Sequence, residues 1–226
     1  MSRTIRRTPG AVVLLLTVFV LVTIPAEATY HAVGHNVYGD WLGAYAEWPN
    51  PQEYYTYDTS SNNDFTAQVM WVATEGAVNG YWVEVGLTKG WKDDTSIWTF
   101  YWAEMTTSSY AEYRVDMPVG AKGDNHSYQV QYTGYNEWTA YIDFQPVGIS
   151  AQAPPCVRVD VGAEVVYSGN MLTTTYPQHM QVLDRNTGTW EYWKDSGGTI
   201  METDDPPFHW EWRDPGTYKL GKDFKL

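Results

Sequence analysis

The chain has 226 residues, 14 of them basic and 27 acidic, for a formal charge of −13, and a single cysteine. This acidic balance argues against nucleic-acid phosphates or anionic lipid as partners. Cys156 has no partner for an intramolecular disulfide, so stability must come from a core, which a chain of this length can build.

Arg3, Arg6 and Arg7 precede the apolar stretch Ala11 to Ile24, whose only polar residues are Thr17 and Thr23, and Ala26-Glu27-Ala28 follows. This order predicts a secretory signal peptide over residues 1–28 and a secreted, extracellular protein. The apolar run is shorter than the ~20 residues of a membrane-spanning helix; an uncleaved N-terminal anchor is the alternative. Cleavage after Ala28 leaves residues 29–226 as a single domain. Removing Arg3, Arg6, Arg7 and Glu27 leaves 11 basic and 26 acidic residues, a charge of −15.

The rest of the chain lacks helical periodicity. Segments rich in Tyr, Trp, Val and Thr, separated by Gly, Asp, Asn and Pro, predict strands near 36–47, 65–74, 80–88, 96–105, 110–116, 126–132, 136–144, 157–167, 179–184, 188–194 and 208–212. Residues 49–63 read as an exposed loop. Residues 145–155, "QPVGISAQAPP", read as a long connection between sheets or a linker. The tail from Pro215 reads as loosely packed. Asp184–Gly188 and Thr133-Gly134-Tyr135 are hairpin-turn candidates. Short strands at this spacing predict an all-β, two-sheet antiparallel sandwich or jelly roll.

Asp195-Ser196-Gly197-Gly198 resembles a serine-nucleophile context, but without a suitably placed His and Asp it reads as a Gly-rich turn. Metal ligation has little support. His31 and His35 are four apart where a helix is not expected, and His126, His179 and His209 are scattered. Asp93-Asp94 and Asp204-Asp205 read as solvated loops. No cofactor is expected. Asn125-His126-Ser127 matches a glycosylation acceptor, relevant only in a eukaryotic host.

The aromatic content, 12 Trp and 18 Tyr, is the stronger clue. Most of these rings should fill the core. Trp48, Tyr54, Tyr55, Tyr57, Trp91 and Trp193 are candidates for exposed loops. Alternation places Trp82, Glu84 and Thr88 on one strand face, opposite Val83, Val85 and Leu87. On the following strand Trp98, Phe100, Trp102 and Glu104 share a face. Glu84 and Glu104 among indoles suggest the wall of a sugar or peptide cleft, with Trp71, Trp82, Trp91 and Trp102 as further binding candidates. In "VRVDVGAEVVYSG" the valine face should be buried, and Glu164 shares the other face with Asp160. Glu164 points into a cleft if the sheet is concave there and into solvent if it is not.

Five segments in this order carry a resemblance: Trp71-Val72, "WVEVG", "FYWAEM", Gly123-Asp124 and Gly162-Ala163-Glu164-Val165-Val166. The pattern, over about residues 65–170, is similar to that of the glutamic peptidases (eqolisins), secreted acid proteases with a concanavalin A-like sandwich. The resemblance implies that Glu164 is the catalytic general base. It puts Glu84 where that family has a catalytic Gln, and Tyr167 where it has an acidic residue. A Gln amide donates a hydrogen bond to an oxyanion; Glu84 does so only when protonated. The expectation is therefore a secreted module binding extracellular carbohydrate or polypeptide, derived from a hydrolase. The alternatives are an acid-acting hydrolase using Glu164 with protonated Glu84, and a structural exported protein.

Overall fold

The structure, a computed structural model, describes residues 31–50, 65–74, 81–89, 98–106, 109–152, 156–165, 177–203, 208–209 and 224–225. Its strands, in chain order, are β1 (His31–Pro49), β2 (Thr66–Thr74), β3 (Trp82–Lys89), β4 (Trp98–Met105), β5 (Tyr110–Val115), β6 (Asn125–Gly134), β7 (Glu137–Ile142), β8 (Gln145–Ser150), β9 (Cys156–Val165), β10 (Gln178–Asp184), β11 (Trp190–Tyr192), β12 (Thr199–Thr203), β13 (Phe208–His209) and β14 (Phe224–Lys225). Among the described residues no helix is long and apolar enough to cross a membrane. The segment predicted as a signal peptide, Trp91 and the 49–63 loop beyond Asn50 lie outside the described residues.

The topology turns on β1. Its N-terminal half pairs with β9 and β12, and its C-terminal half with β6 and β10. Its register against β9 shifts between Tyr38 and Trp41. At this bend the Trp41 ring folds back over Gly39, where a Cβ would lie 2.1 Å from the ring. Only glycine accepts that approach. The strand thus joins a front sheet, β5-β4-β3-β2-β9-β1-β12, to a back sheet, β11-β10-β1-β6-β7-β8. The back sheet folds over the front one, with β6 and β7 against β3 and β8 against β4. This is a two-sheet antiparallel β-sandwich of the concanavalin A-like type.

Alternation decides what lies between the layers. Met70, Val72, Val83, Val85, Leu87, Phe100, Val159 and Val161 project inward from the front sheet, and Trp48, Tyr128, Val130, Trp138, Ala140 and Ile142 from the back. Each wholly buried indole removes 150–250 Å² from water, about 4–6 kcal/mol at ~25 cal/mol/Å². A core of this kind accounts for a fold whose one described cysteine, Cys156, is buried and free.

Two local readings need correction. Residues 145–150 form β8 rather than a connection; Pro146 is tolerated because β8 ends the back sheet. Trp48 and Trp193 are buried at 1% and 3% exposure, not loop rings. The 133–135 hairpin holds, with Tyr135 and Asn136 at φ 56° and 61°, as does the 184–188 turn, with Asp184 Oδ1 accepting from the Asn186 and Thr187 amides. The 195–198 segment is a turn, its Ser196 hydroxyl donating to the Trp193 carbonyl.

Candidate active site

The outer face of the front sheet carries a cleft of about 550 Å³ lined by residues of β2, β3, β4, β5 and β9. Its shape follows from register. One row across the sheet runs Asp160, Trp71, Glu84, Ala103, Glu112, and another runs Glu164, Ala67, Thr88, Thr99. In the first row Ala103 lies between Glu84 and Glu112, and in the second Ala67 lies between Glu164 and Thr88. Ala67, Val69 and Ala103 pack with Tyr101 beneath Phe65 and Trp71 as a second, smaller apolar cluster. This low floor leaves Glu84 and Glu164 room to line one cavity from strands separated by β2.

Glu84 is buried and Glu164 is partly buried, and desolvation is the main reason that each is harder to ionise. Glu84 is 4% exposed and is pushed up to about 7. Three donors oppose that shift. The Tyr101 hydroxyl donates to Glu84 Oε1 at 2.5 Å, the Trp82 indole N–H donates to Oε2 at 3.2 Å, and the Trp71 side chain hydrogen-bonds it as well. Glu164 is pushed up to about 8, by burial first and then by the negative charges of Glu84 and Glu112. No Lys, Arg or His is among the described residues lining the cleft. A proton is therefore the counter-charge available to the pair. The donors around Glu84 favour its ionised form, so a single proton on the pair resides on Glu164.

At the rim, the Tyr110 hydroxyl donates to Glu112 Oε2 at 2.8 Å, and the Tyr110 ring lies 6.4 Å from Trp82 at 43°. Asp160, on the face of Glu164, is engaged by the Arg158 Nε at 2.7 Å. Among the described residues no group of three or more His, Cys, Asp or Glu converges as metal ligands would.

The structure thus brings together Glu84, Glu164, Trp71 and Trp82. It does not add Glu104 or Trp102. Both project from β4 toward the sandwich interior: Trp102 belongs to the main core and stacks on Tyr113 at 4.5 Å and 14°. Glu104 accepts from the Ser150 hydroxyl at 2.6 Å, and Gln152 Nε2 donates to Ser150 Oγ at 2.9 Å. The reason is parity. Lys89 pairs with Trp98, so Glu84 faces Ala103, and the β4 residues beside Glu84 are Tyr101, Ala103 and Met105. A register one residue different would have brought Glu104 to the cleft. Tyr101, Tyr110 and Glu112 were missed for the same reason.

The architecture matches solved structures over most of its length. A scytalido-glutamic peptidase bound to a transition state analog inhibitor superposes with a TM-score of 0.58 and 10% identity, covering 87% of this chain and 98% of that one. A second scytalido-glutamic peptidase structure, with a peptide based transition state analog, gives 0.54 and 9%, covering 88% and 99%. SCP-B, an eqolisin-family peptidase in complex with the tripeptide Ala-Ile-His, gives 0.51 and 9%, covering 88% and 99%. The fold is shared with the glutamic peptidases. No protein-family model matches the sequence, and no curated protein matches it.

Proposed function

We propose that the front cleft is a hydrolytic site for polypeptide in an exported protein, with Glu84 and Glu164 as catalytic residues sharing one proton. The observation that carries this reading is a buried carboxyl, Glu84, and a partly buried one, Glu164, lining one open cleft with no described cation beside them. The shared architecture with peptidases that bind peptide-like inhibitors supports polypeptide as the substrate class.

The roles follow from the donors. Ionised Glu84 removes a proton from water as the water oxygen bonds to the scissile carbonyl carbon. The carbonyl π electrons move to oxygen, which takes the proton of Glu164. In the second step the C–N bond breaks, the amine nitrogen receives the proton held by Glu84, and Glu164 recovers its proton from the diol. Both groups return to their starting states. This assignment exchanges the roles expected from the family resemblance, in which Glu164 is the base.

The test is cleavage of an unfolded protein substrate from pH 2 to pH 9 by wild type, Glu84→Gln and Glu164→Gln. The expected result is a bell-shaped profile with its optimum near neutrality, and loss of cleavage in both variants. Retained cleavage in Glu84→Gln would return the base role to Glu164. Absence of cleavage by wild type at every pH would leave a binding module in its place.

A further inference from the structure

We propose that the outer face of the back sheet carries a second binding site, for a neutral oligosaccharide, in which the Phe144 and Trp190 rings flank Tyr45 above a hydrogen-bonded floor. The cleft there has a volume of about 350 Å³ and lies on the opposite side of the sandwich from Glu84 and Glu164.

The floor is a closed polar unit. The Tyr45 hydroxyl donates to Glu47 Oε1 at 2.8 Å, and His179 Nδ1 lies 2.9 Å from Glu47 Oε2. Both carboxylate oxygens are thereby engaged. Gln129 Nε2 donates to Gln131, and Gln181 Nε2 lies 3.4 Å from the His179 carbonyl. The amide oxygens of Gln129 and Gln181 and the Nε2 of His179 keep hydrogen-bonding capacity.

The rings are held in place above this floor. Phe144 stacks on Tyr45 at 6.0 Å and 20°, and Trp190 meets Tyr45 edge-on at 6.4 Å and 72°. Trp190 lies close over Gly43, where a Cβ would come within 2.9 Å of its ring. Phe144 occupies a left-handed turn position at φ 61°, beside Asp143 at 49°, and its side chain is 69% exposed. His179 is also left-handed, at φ 53°. Asp143 and Phe144 are the central pair of the two-residue β7–β8 hairpin, whose turn takes positive φ at both, and that turn fixes where the Phe144 ring projects.

The chemistry selects the ligand. No Lys or Arg is among the described lining residues, so nothing there suits a phosphate or carboxylate. A cation would have to compete with Tyr45 and His179 for Glu47. Strands β1, β6 and β10, which carry the floor, are each paired on both sides, so no backbone edge is open within the floor; the nearest edge is the three-residue strand β11 at its margin, too short to seat a peptide strand across the cleft. Recognition must come from side chains: ring faces for the C–H surface of a pyranose, amides and imidazole for its hydroxyls.

The experiment titrates the full chain with neutral oligosaccharides of β-1,4-glucose, β-1,3-glucose, β-1,4-N-acetylglucosamine and α-1,4-glucose, read by tryptophan fluorescence and calorimetry. At least one is expected to saturate. Binding should weaken about ten-fold or more, the equivalent of ~1.4 kcal/mol, in Phe144→Ala and Trp190→Ala, and recover in Trp190→Phe. Phe144 is exposed, so its variant tests binding without threatening the fold. Glu164→Gln should bind as wild type does, which separates this site from the front cleft. The proposal is overturned by no saturation with any of the four sugars, by binding that Phe144→Ala leaves intact, or by preference for an anionic or quaternary-ammonium probe.

Discussion

The hydroxyl of Tyr101 donates to Oε1 of Glu84 across 2.5 Å, and both side chains are buried in the floor of the front cleft. The phenol is correspondingly hard to ionise, through burial and then the negative charge of Glu84. Tyr101 therefore remains a donor across the working pH range. In the proposed mechanism it is a positioning residue that keeps the negative charge on Glu84 rather than on Glu164.

Tyr101→Phe removes that donor and raises the proton affinity of Glu84 further. The acid limb of the pH–rate profile should move to higher pH, and cleavage at neutrality should fall about 10–100-fold. A pH series on the variant checks this. A uniform loss with an unshifted acid limb would contradict it.

Stability should depend on pH through the same carboxyl. Burial raises Glu84 from the ordinary 4.5 to about 7, so the folded state binds the proton more tightly than the unfolded chain. The resulting stability is fully present below pH 4.5 and is lost as pH rises to about 7, by about 3 kcal/mol at ~1.4 kcal/mol per unit. Glu84→Gln removes this titration and should be more stable than wild type at pH 8 by roughly 1–3 kcal/mol. Urea denaturation at pH 4 and pH 8 measures both proteins. The same pH dependence in each would refute the prediction.

Gly39→Ala drives a methyl group into the Trp41 ring, whose nearest atom would be 2.1 Å away. Overpacking of this kind costs about 1–3 kcal/mol, or about 2–12 °C in melting temperature for a domain of this size. Differential scanning calorimetry reads it directly, and an unchanged melting temperature would show that the bend tolerates a side chain.

Cys156 is buried, its Sγ–H donates to the Arg158 carbonyl at 3.1 Å, and burial pushes its thiol well above the usual range. A thiol reagent should therefore leave the native protein unmodified and label one site per chain in denaturant. Prompt labelling of the native protein would show that β9 opens at its start.

Much of the front sheet was legible from alternation. Val159, Val161, Ala163 and Val165 face inward while Asp160 and Glu164 face out, as "VRVDVGAEV" requires. Trp82 and Glu84 likewise share the cleft face. Which residues of β4 join them depends on the parity of the β3–β4 pairing, a property of the whole connection that no strand contains by itself. Glu104 was therefore placed on the wrong face, and Tyr101 went unnoticed. Strand β8 was hidden because Pro146 and Gly148 signal a loop locally, whereas a sheet edge accepts proline. The back cleft left no motif at all, since its floor assembles from residues more than 130 positions apart, such as Glu47 and His179.

The sharing of β1 between both layers also sets the timing of assembly. Its partners lie at residues 125–131, 156–165, 178–184 and 199–203. A strand made early therefore waits for partners made late, and the seam between the sheets closes only after most of the chain is available. Loop closure over such separations is slow, so folding should take milliseconds to seconds, with unpaired β1 as the segment most exposed to mispairing meanwhile.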